Sequence, residues 1–182
     1  EPDNVYIAVE AMEPNPAAII ADQIPQDGPY QKVGNAVEVF LNYPDMAEEY
    51  YHYIINSAGS IIDARHGPNR RDLDYNANVE YAVKTSPDRW TLEMRVPTAE
   101  IGMKCFDGST WRMNIARCRK VSEDRSELSS WCSGHFHGID HFGVVRFTPT
   151  RPTGLSQGGD QAAWKNASLN EVTENATLHP AR

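Results

Sequence analysis

From residue 5 to residue 148, apolar side chains recur at every second position in short runs broken by turn residues. VYIAVEAM (Val5 to Met12) alternates apolar with small or polar residues and stops at the turn-rich EPNP. AVEVFLNYP places Val37, Val39 and Leu41 on one face and ends at Pro44. YYHYIINSAG reads as a strand entering a turn at Ser57 to Gly59, followed by IIDAR. NVEYAVKT and RWTLEMRVP flank Ser86, Pro87 and Asp88, which predicts a hairpin. In its second arm Trp90, Leu92, Met94 and Val96 share one face, and Thr91, Glu93 and Arg95 the other. TAEIG predicts one helical turn, capped by Thr98 and ended by Gly102. WRMNIARCRK and SELSSWCS surround the polar SEDR, and GVVRFTP closes the series. Long helical periodicity is absent. The pattern predicts an all-β chain, an antiparallel β-sandwich of jelly-roll or immunoglobulin-like form, with about ten short strands and at most one short helix.

The period stops at Pro149, so residues 1–149 are expected to form the sandwich. Residues 150–182 are rich in Gly, Asn, Thr and Ala. Three readings stay open for them: a linker, a wrapping tail, or a final strand around Trp164. Gly154 to Gly158 matches the G-x-S-x-G elbow, but an elbow needs a strand-turn-helix in an α/β sheet, so chance explains it better. Asn166-Ala167-Ser168 and Asn175-Ala176-Thr177 match the glycosylation sequon, a short pattern of little weight alone.

A formal net charge of −8 argues against nucleic acid or an anionic membrane as partner. No window approaches the roughly 18 apolar residues of a membrane span. The sequence starts at Glu1 without a basic-then-apolar leader, which reads as a processed protein or an excised module. Cys105, Cys118 and Cys132 permit at most one internal disulfide and contain no Cys-x-x-Cys.

The densest chemistry lies in WCSGHFHGIDHFGVVRF, Trp131 to Phe147. His135, His137 and His141, with Cys132 or Asp140, are a candidate zinc set, although the spacing matches no known zinc-ligand pattern. Asp72 to Asn78 resembles the opening of an EF-hand loop but has Ala77 at the glycine position and Val83 at the twelfth, so a turn explains it better. Glu38, Glu80 and Glu93 lie on expected strands, and nothing in the sequence brings two of them together as an acid and base. No active site can be assembled, and a non-catalytic protein is expected.

The order of segments resembles family 9 carbohydrate-binding modules. It runs through Tyr6-Ile7-Ala8-Val9, Val37-Glu38-Val39-Phe40-Leu41, Ile55-Asn56 with Gly59 and Asp63, and Trp90-Thr91-Leu92-Glu93 with Val96-Pro97 and Ile101-Gly102. Trp111 with Asn114 and Arg117, Ser130-Trp131 and Phe142-Gly143 complete it, over roughly residues 5 to 147. The resemblance implies a sugar-binding β-sandwich that targets a secreted or extracytoplasmic protein to oligo- or polysaccharide, often beside a linked catalytic domain, with structural calcium.

Carried residue by residue, the resemblance makes Glu38 a ligand-contacting glutamate and Phe136 one half of an aromatic pair around the sugar ring. Tyr30 is the nearest aromatic for the other half, Trp131 is core or ledge, and His135 and His137 flank Phe136 as rim contacts. Glu13 and Asp27, carboxylates in loops near the expected position, are the candidate calcium ligands. Ile54 stands where some members carry a hydrogen-bonding arginine, which keeps a ligand-free structural or docking domain as a further reading. The wider superfamily includes haem-binding electron-transfer domains. That reading would need a histidine with Met12, Met94 or Met113 as axial ligands.

Overall fold

The computed structural model describes residues 3–43, 46–68, 70–102 and 109–147, and the backbone of 177–179. Two antiparallel sheets face each other. The smaller contains β1 (Asn4–Met12), β6 (Glu80–Ser86), β7 (Arg89–Pro97) and β11 (Thr177–His179), in the order β1-β7-β6-β11. The larger contains β2 (Ala36–Asn42), β3 (Tyr50–Asn56), β4 (Ile61–Gly67), β5 (Arg70–Asp72), β8 (Thr110–Ser122), β9 (Arg125–Ser130) and β10 (Gly143–Arg146). Its order is β10-β8-β2-β3-β4-β5. The 13-residue β8 is long enough to pair β2 on one edge and both β9 and β10 on the other.

Side-chain alternation fixes the layers. In β7, Trp90, Leu92, Met94 and Val96 point into the space between the sheets and are buried, as the period of two requires. Val5 and Ile7 of β1 meet Val37, Val39 and Leu41 of β2 and Tyr51, Tyr53 and Ile55 of β3 in the same core. The hairpin at Pro87-Asp88 forms with Ser86 opposite Arg89. The helical turn expected at TAEIG is a pair of tight turns instead, because Thr98 is drawn to the Asp3 carbonyl through both its backbone N–H and its hydroxyl. Short 3-10 turns of three residues lie at Pro16–Ala18, Tyr30–Lys32 and Ile139–His141.

β2 and β3 depart from simple alternation: every residue in both is buried. Their outer face is roofed by two segments. Val33 and Ile24 pack on Ala36, Ile54 and Ile62, while Phe136, Ile139 and Phe142 pack near Phe40, Tyr50 and Ala116. Gly59 and the neighbouring turn are organised by Asn56, which uses its whole amide. Its Nδ2 donates to the carbonyls of Asp22 (2.8 Å) and Val33 (3.0 Å), and its Oδ1 accepts from the N–H groups of Ala58 (3.1 Å) and Ser60 (2.8 Å). Within the tail, β11 adds a short edge to β6. Trp164 and the motifs at 154–158, 166–168 and 175–176 lie outside the described residues.

Asn56→Asp keeps the shape but turns two buried donors into acceptors facing carbonyls. It is expected to cost at least about 3 kcal/mol of unfolding free energy, read as a lower urea midpoint at unchanged m-value.

Candidate functional site

The register of the larger sheet lays out rows of side chains on its outer face. Ala116, Glu38, Ile54 and Ile62 align across β8, β2, β3 and β4. Asn114, Phe40, His52 and Ala64 form the next row, and Tyr50, His66 and Arg71 align across β3, β4 and β5. Two aromatic stacks follow directly from cross-strand pairing. Phe40 lies on His52 with centroids 4.2 Å apart, and Tyr50 lies on His66 at 4.7 Å. His137, from the loop after β9, drops onto these rows edge-on to Phe40 (5.2 Å) and His52 (5.1 Å). The Tyr50 hydroxyl sits 2.7 Å from its Nδ1.

Glu38 holds this array from one side. Its Oε2 accepts from His52 Nε2 at 2.8 Å, and its Oε1 accepts from the Tyr30 hydroxyl at 3.2 Å. Burial alone would raise the Glu38 pKa, but the bond from His52, with the further help of His137 and Tyr30, outweighs it and holds the carboxyl below its ordinary 4.5. The His52 pKa is lowered, chiefly by burial, so the pair is a carboxylate and a neutral imidazole whose proton is on Nε2. Burial first, and then the neighbouring histidines and Arg71, push His66 down to about 3 and His137 down to about 4. Burial and then the Glu38 charge push Tyr30 up to about 12, and burial pushes Tyr50 up to about 12. The site is thus one carboxylate among neutral rings.

Beside Tyr50 and His137 opens a groove of about 770 Å³, bordered also by Asn42, Arg112, Ile139 and Asp140. That size falls within the roughly 300–1,000 Å³ of small-molecule clefts.

The sequence candidates divide between these surroundings. His137 lines the groove. Tyr30 is half exposed, at 50%, above Glu38. Phe136 is half-buried, packed near Phe40, Tyr50 and Phe142. His135 is exposed, and its Nδ1 accepts from the His137 N–H at 3.2 Å. Trp131 is 57% exposed and leans on the Gly143 backbone, where an added Cβ would meet its ring at 2.8 Å.

The direct sugar contact expected of Glu38 is corrected by its burial. It is 3% exposed with both oxygens engaged, which makes it the group that orients Tyr30 and His52. The candidate zinc set of His135, His137 and His141 does not assemble. The His141 ring lies instead against Gly134, 3.0 Å from where a Cβ would stand, while His137 meets His52 and His66. Cys118 and Cys132 are free thiols, and Cys105 lies outside the described residues. Of the methionines considered for haem, Met94 and Met113 pack into the core between the sheets, on the opposite side of the larger sheet from the histidines.

Glu13 is also corrected as a calcium ligand. It is 4% exposed, and its oxygens accept from Arg119 Nε (2.7 Å) and Nη2 (2.8 Å), with Arg117 Nη2 at 3.4 Å. Two guanidinium groups supply the positive charge that a cation would bring. Asp27 has a different setting: its Oδ1 accepts from the Asp63 N–H at 3.2 Å. Burial first, and the adjacent Asp27 as well, push the Asp63 carboxyl up to about 6.

Sequence reasoning missed Phe40, Tyr50, His52 and His66. The available signal was the i, i+2 pairing of Glu38 with Phe40 and of Tyr50 with His52, which puts Glu38, Phe40, Tyr50 and His52 on one face of adjacent strands, whereas His66 joins them only through the β3–β4 register.

No protein-family profile matches the chain, and no curated protein matches it. Solved structures do. A candidate carbohydrate-binding protein from Bacteroides uniformis aligns with a TM-score of 0.57 at 17% identity, covering 79% of this chain and 72% of that one. A family 9 carbohydrate-binding module from Caldicellulosiruptor kristjanssonii in complex with cellotriose aligns with a TM-score of 0.57 at 15% identity, covering 84% and 73%. The same organism's family 9 module with glucose aligns with a TM-score of 0.57 at 17% identity, covering 85% and 75%. The chain therefore has the sandwich fold of these carbohydrate-binding modules.

Because Arg119, the main cause, lowers the Glu13 pKa, this pair stabilises the fold above pH 4.5 and loses that contribution as pH falls through the folded-state value. Glu13→Gln is expected to lower thermal stability at pH 7, with the gap from wild type closing in melts run below pH 4.5.

Proposed function

We propose that the protein is a non-catalytic carbohydrate-binding module. The observation that carries this reading is a fold shared with modules solved with cellotriose and with glucose, joined to an aromatic-lined site on the larger sheet. A pyranose offers an apolar C–H face and a rim of hydroxyls, so it needs flat rings and oriented polar groups. Tyr30 and Phe136 offer the rings, with Trp131 as a neighbouring ledge. Glu38 sets the Tyr30 hydroxyl, and His135 and His137 offer ring nitrogens at the rim. Burying about 100 Å² of sugar face contributes about 2–3 kcal/mol, and a few hydrogen bonds bring the dissociation constant into the range of about millimolar to ten micromolar.

Such weak binding suits an appendage that keeps a linked catalytic domain near a polymer outside the cytoplasm, because tethering raises effective concentration. The acidic surface, with its net charge of −8, favours neutral glycans over nucleic acid or anionic membrane.

Titration calorimetry with cellotriose and glucose tests the reading. Binding weakened about 10- to 100-fold by Tyr30→Ala and by Phe136→Ala is expected, and a folded wild type that binds no mono- or oligosaccharide on a glycan array would refute it.

Calcium is the proposed structural ion, with Asp27 and Asp63 as its carboxylates. Asp63 is pushed up to about 6 partly by Asp27, and a divalent cation would relieve that crowding. Backbone carbonyls and waters would complete the six to eight oxygens calcium takes. Millimolar calcium is expected to raise the melting temperature of wild type and to leave that of Asp27→Asn unchanged.

A further inference from the structure

We infer that His52, His66 and His137 form a binding site for one divalent transition-metal ion of the zinc type. One ring nitrogen from each lies within 4.8 Å of the other two, the only such cluster among the described residues. The three come from β3, β4 and the loop after β9, so this set is unrelated to the local histidine spacing of the sequence.

The distances favour a shared ion over a hydrogen bond. His52 Nδ1 and His66 Nε2 are 3.4 Å apart, longer than the roughly 2.7–3.2 Å of a good N–H hydrogen bond. Two imidazole nitrogens each about 2.0–2.1 Å from a tetrahedral zinc ion stand about 3.4 Å apart. The His52–His66 pair therefore already has the bite of a chelate, and His137, on its loop, brings the third ring nitrogen to within 4.8 Å of both.

Tautomers agree with this. Glu38 fixes the His52 proton on Nε2, which leaves the Nδ1 lone pair aimed at His66. A carboxylate behind a histidine is the outer partner that metal-binding imidazoles commonly have. Tyr50 engages His137 at Nδ1, leaving Nε2 for the ion while the hydroxyl accepts the Nδ1 proton. The cation that faces the cluster is Arg71, opposite His66 across β4 and β5, and the Glu38 charge on the other side of His52 offsets it. Three imidazoles and no thiolate select zinc, copper or nickel over calcium and magnesium. The fourth position falls to water.

The test uses the folded chain and metal alone, so its result does not depend on whether sugar binds. Metal-stripped protein titrated with zinc is expected to take up one ion per chain at micromolar concentration. Cobalt in its place is expected to show the visible bands of a tetrahedral ion without a thiolate charge-transfer band. His66→Ala and His137→Ala should each weaken zinc about 100-fold or more, Glu38→Gln about 10- to 100-fold, and His141→Ala not at all. If His66→Ala unfolds, His137→Ala on the exposed loop carries the test alone. No zinc uptake by folded wild type, or uptake unchanged in His137→Ala, overturns the inference. Uptake lost in His141→Ala overturns it too. Zinc binding without sugar binding would leave it standing while removing the carbohydrate reading.

Discussion

Burial of both faces of β2 and β3 forces each polar side chain on them to find its partner inside the protein. Glu38 and His52 meet that demand together: they lie on the same face of paired strands, in neighbouring rows of that face, and join at 2.8 Å. A lone carboxylate at that depth would carry a desolvation cost of several kcal/mol. Paired with a neutral imidazole and the Tyr30 hydroxyl, it becomes the fixed point from which the rest of the outer face is built. Tyr30 is held at the rim by it, and His52 presents its other nitrogen in a single tautomer because of it.

The roof over this face is as much a part of the site as the sheet below. The loop after β9 brings His137 and Phe136 down, and Asn114 of β8 ties that loop by accepting from the Cys132 N–H at 3.2 Å. The segment before β2 brings Tyr30, and Asn56 holds it through the Val33 carbonyl. Sheet, Asn56 and Asn114 thus position rings that come from loops, a rigid scaffold presenting a more variable edge. The sugar reading and the metal reading use different parts of this surface. Tyr30 and Phe136 supply ring faces, whereas His52 and His66 supply nitrogens from the sheet floor. They share only His137 and the supporting Glu38.

Legibility followed the range of the forces involved. Trp90, Leu92, Met94 and Val96 could be placed on one core face because a strand alternates regardless of what covers it. The Pro87-Asp88 hairpin is equally local. TAEIG was misread as helical because the pull of the Asp3 carbonyl on Thr98 comes from a distant segment. Glu13 looked like a free loop carboxylate until β8 brought Arg117 and Arg119 to it. His135, His137 and His141 looked like one set because they are close in sequence, yet the partner of the His137 ring, Tyr50, is 87 residues away.

By itself, the amino-acid sequence determined an all-β sandwich, its strand positions and the aromatic and histidine-rich stretch after β9. Side-chain period and turn chemistry are properties of neighbouring residues. The tertiary structure alone decided which outward-facing residues would be buried a second time, and therefore which of Glu38, Tyr50, His52 and His66 would meet His137. Those meetings depend on how strands register across the sheet and where a loop folds back, and neither is encoded within a window of a few residues.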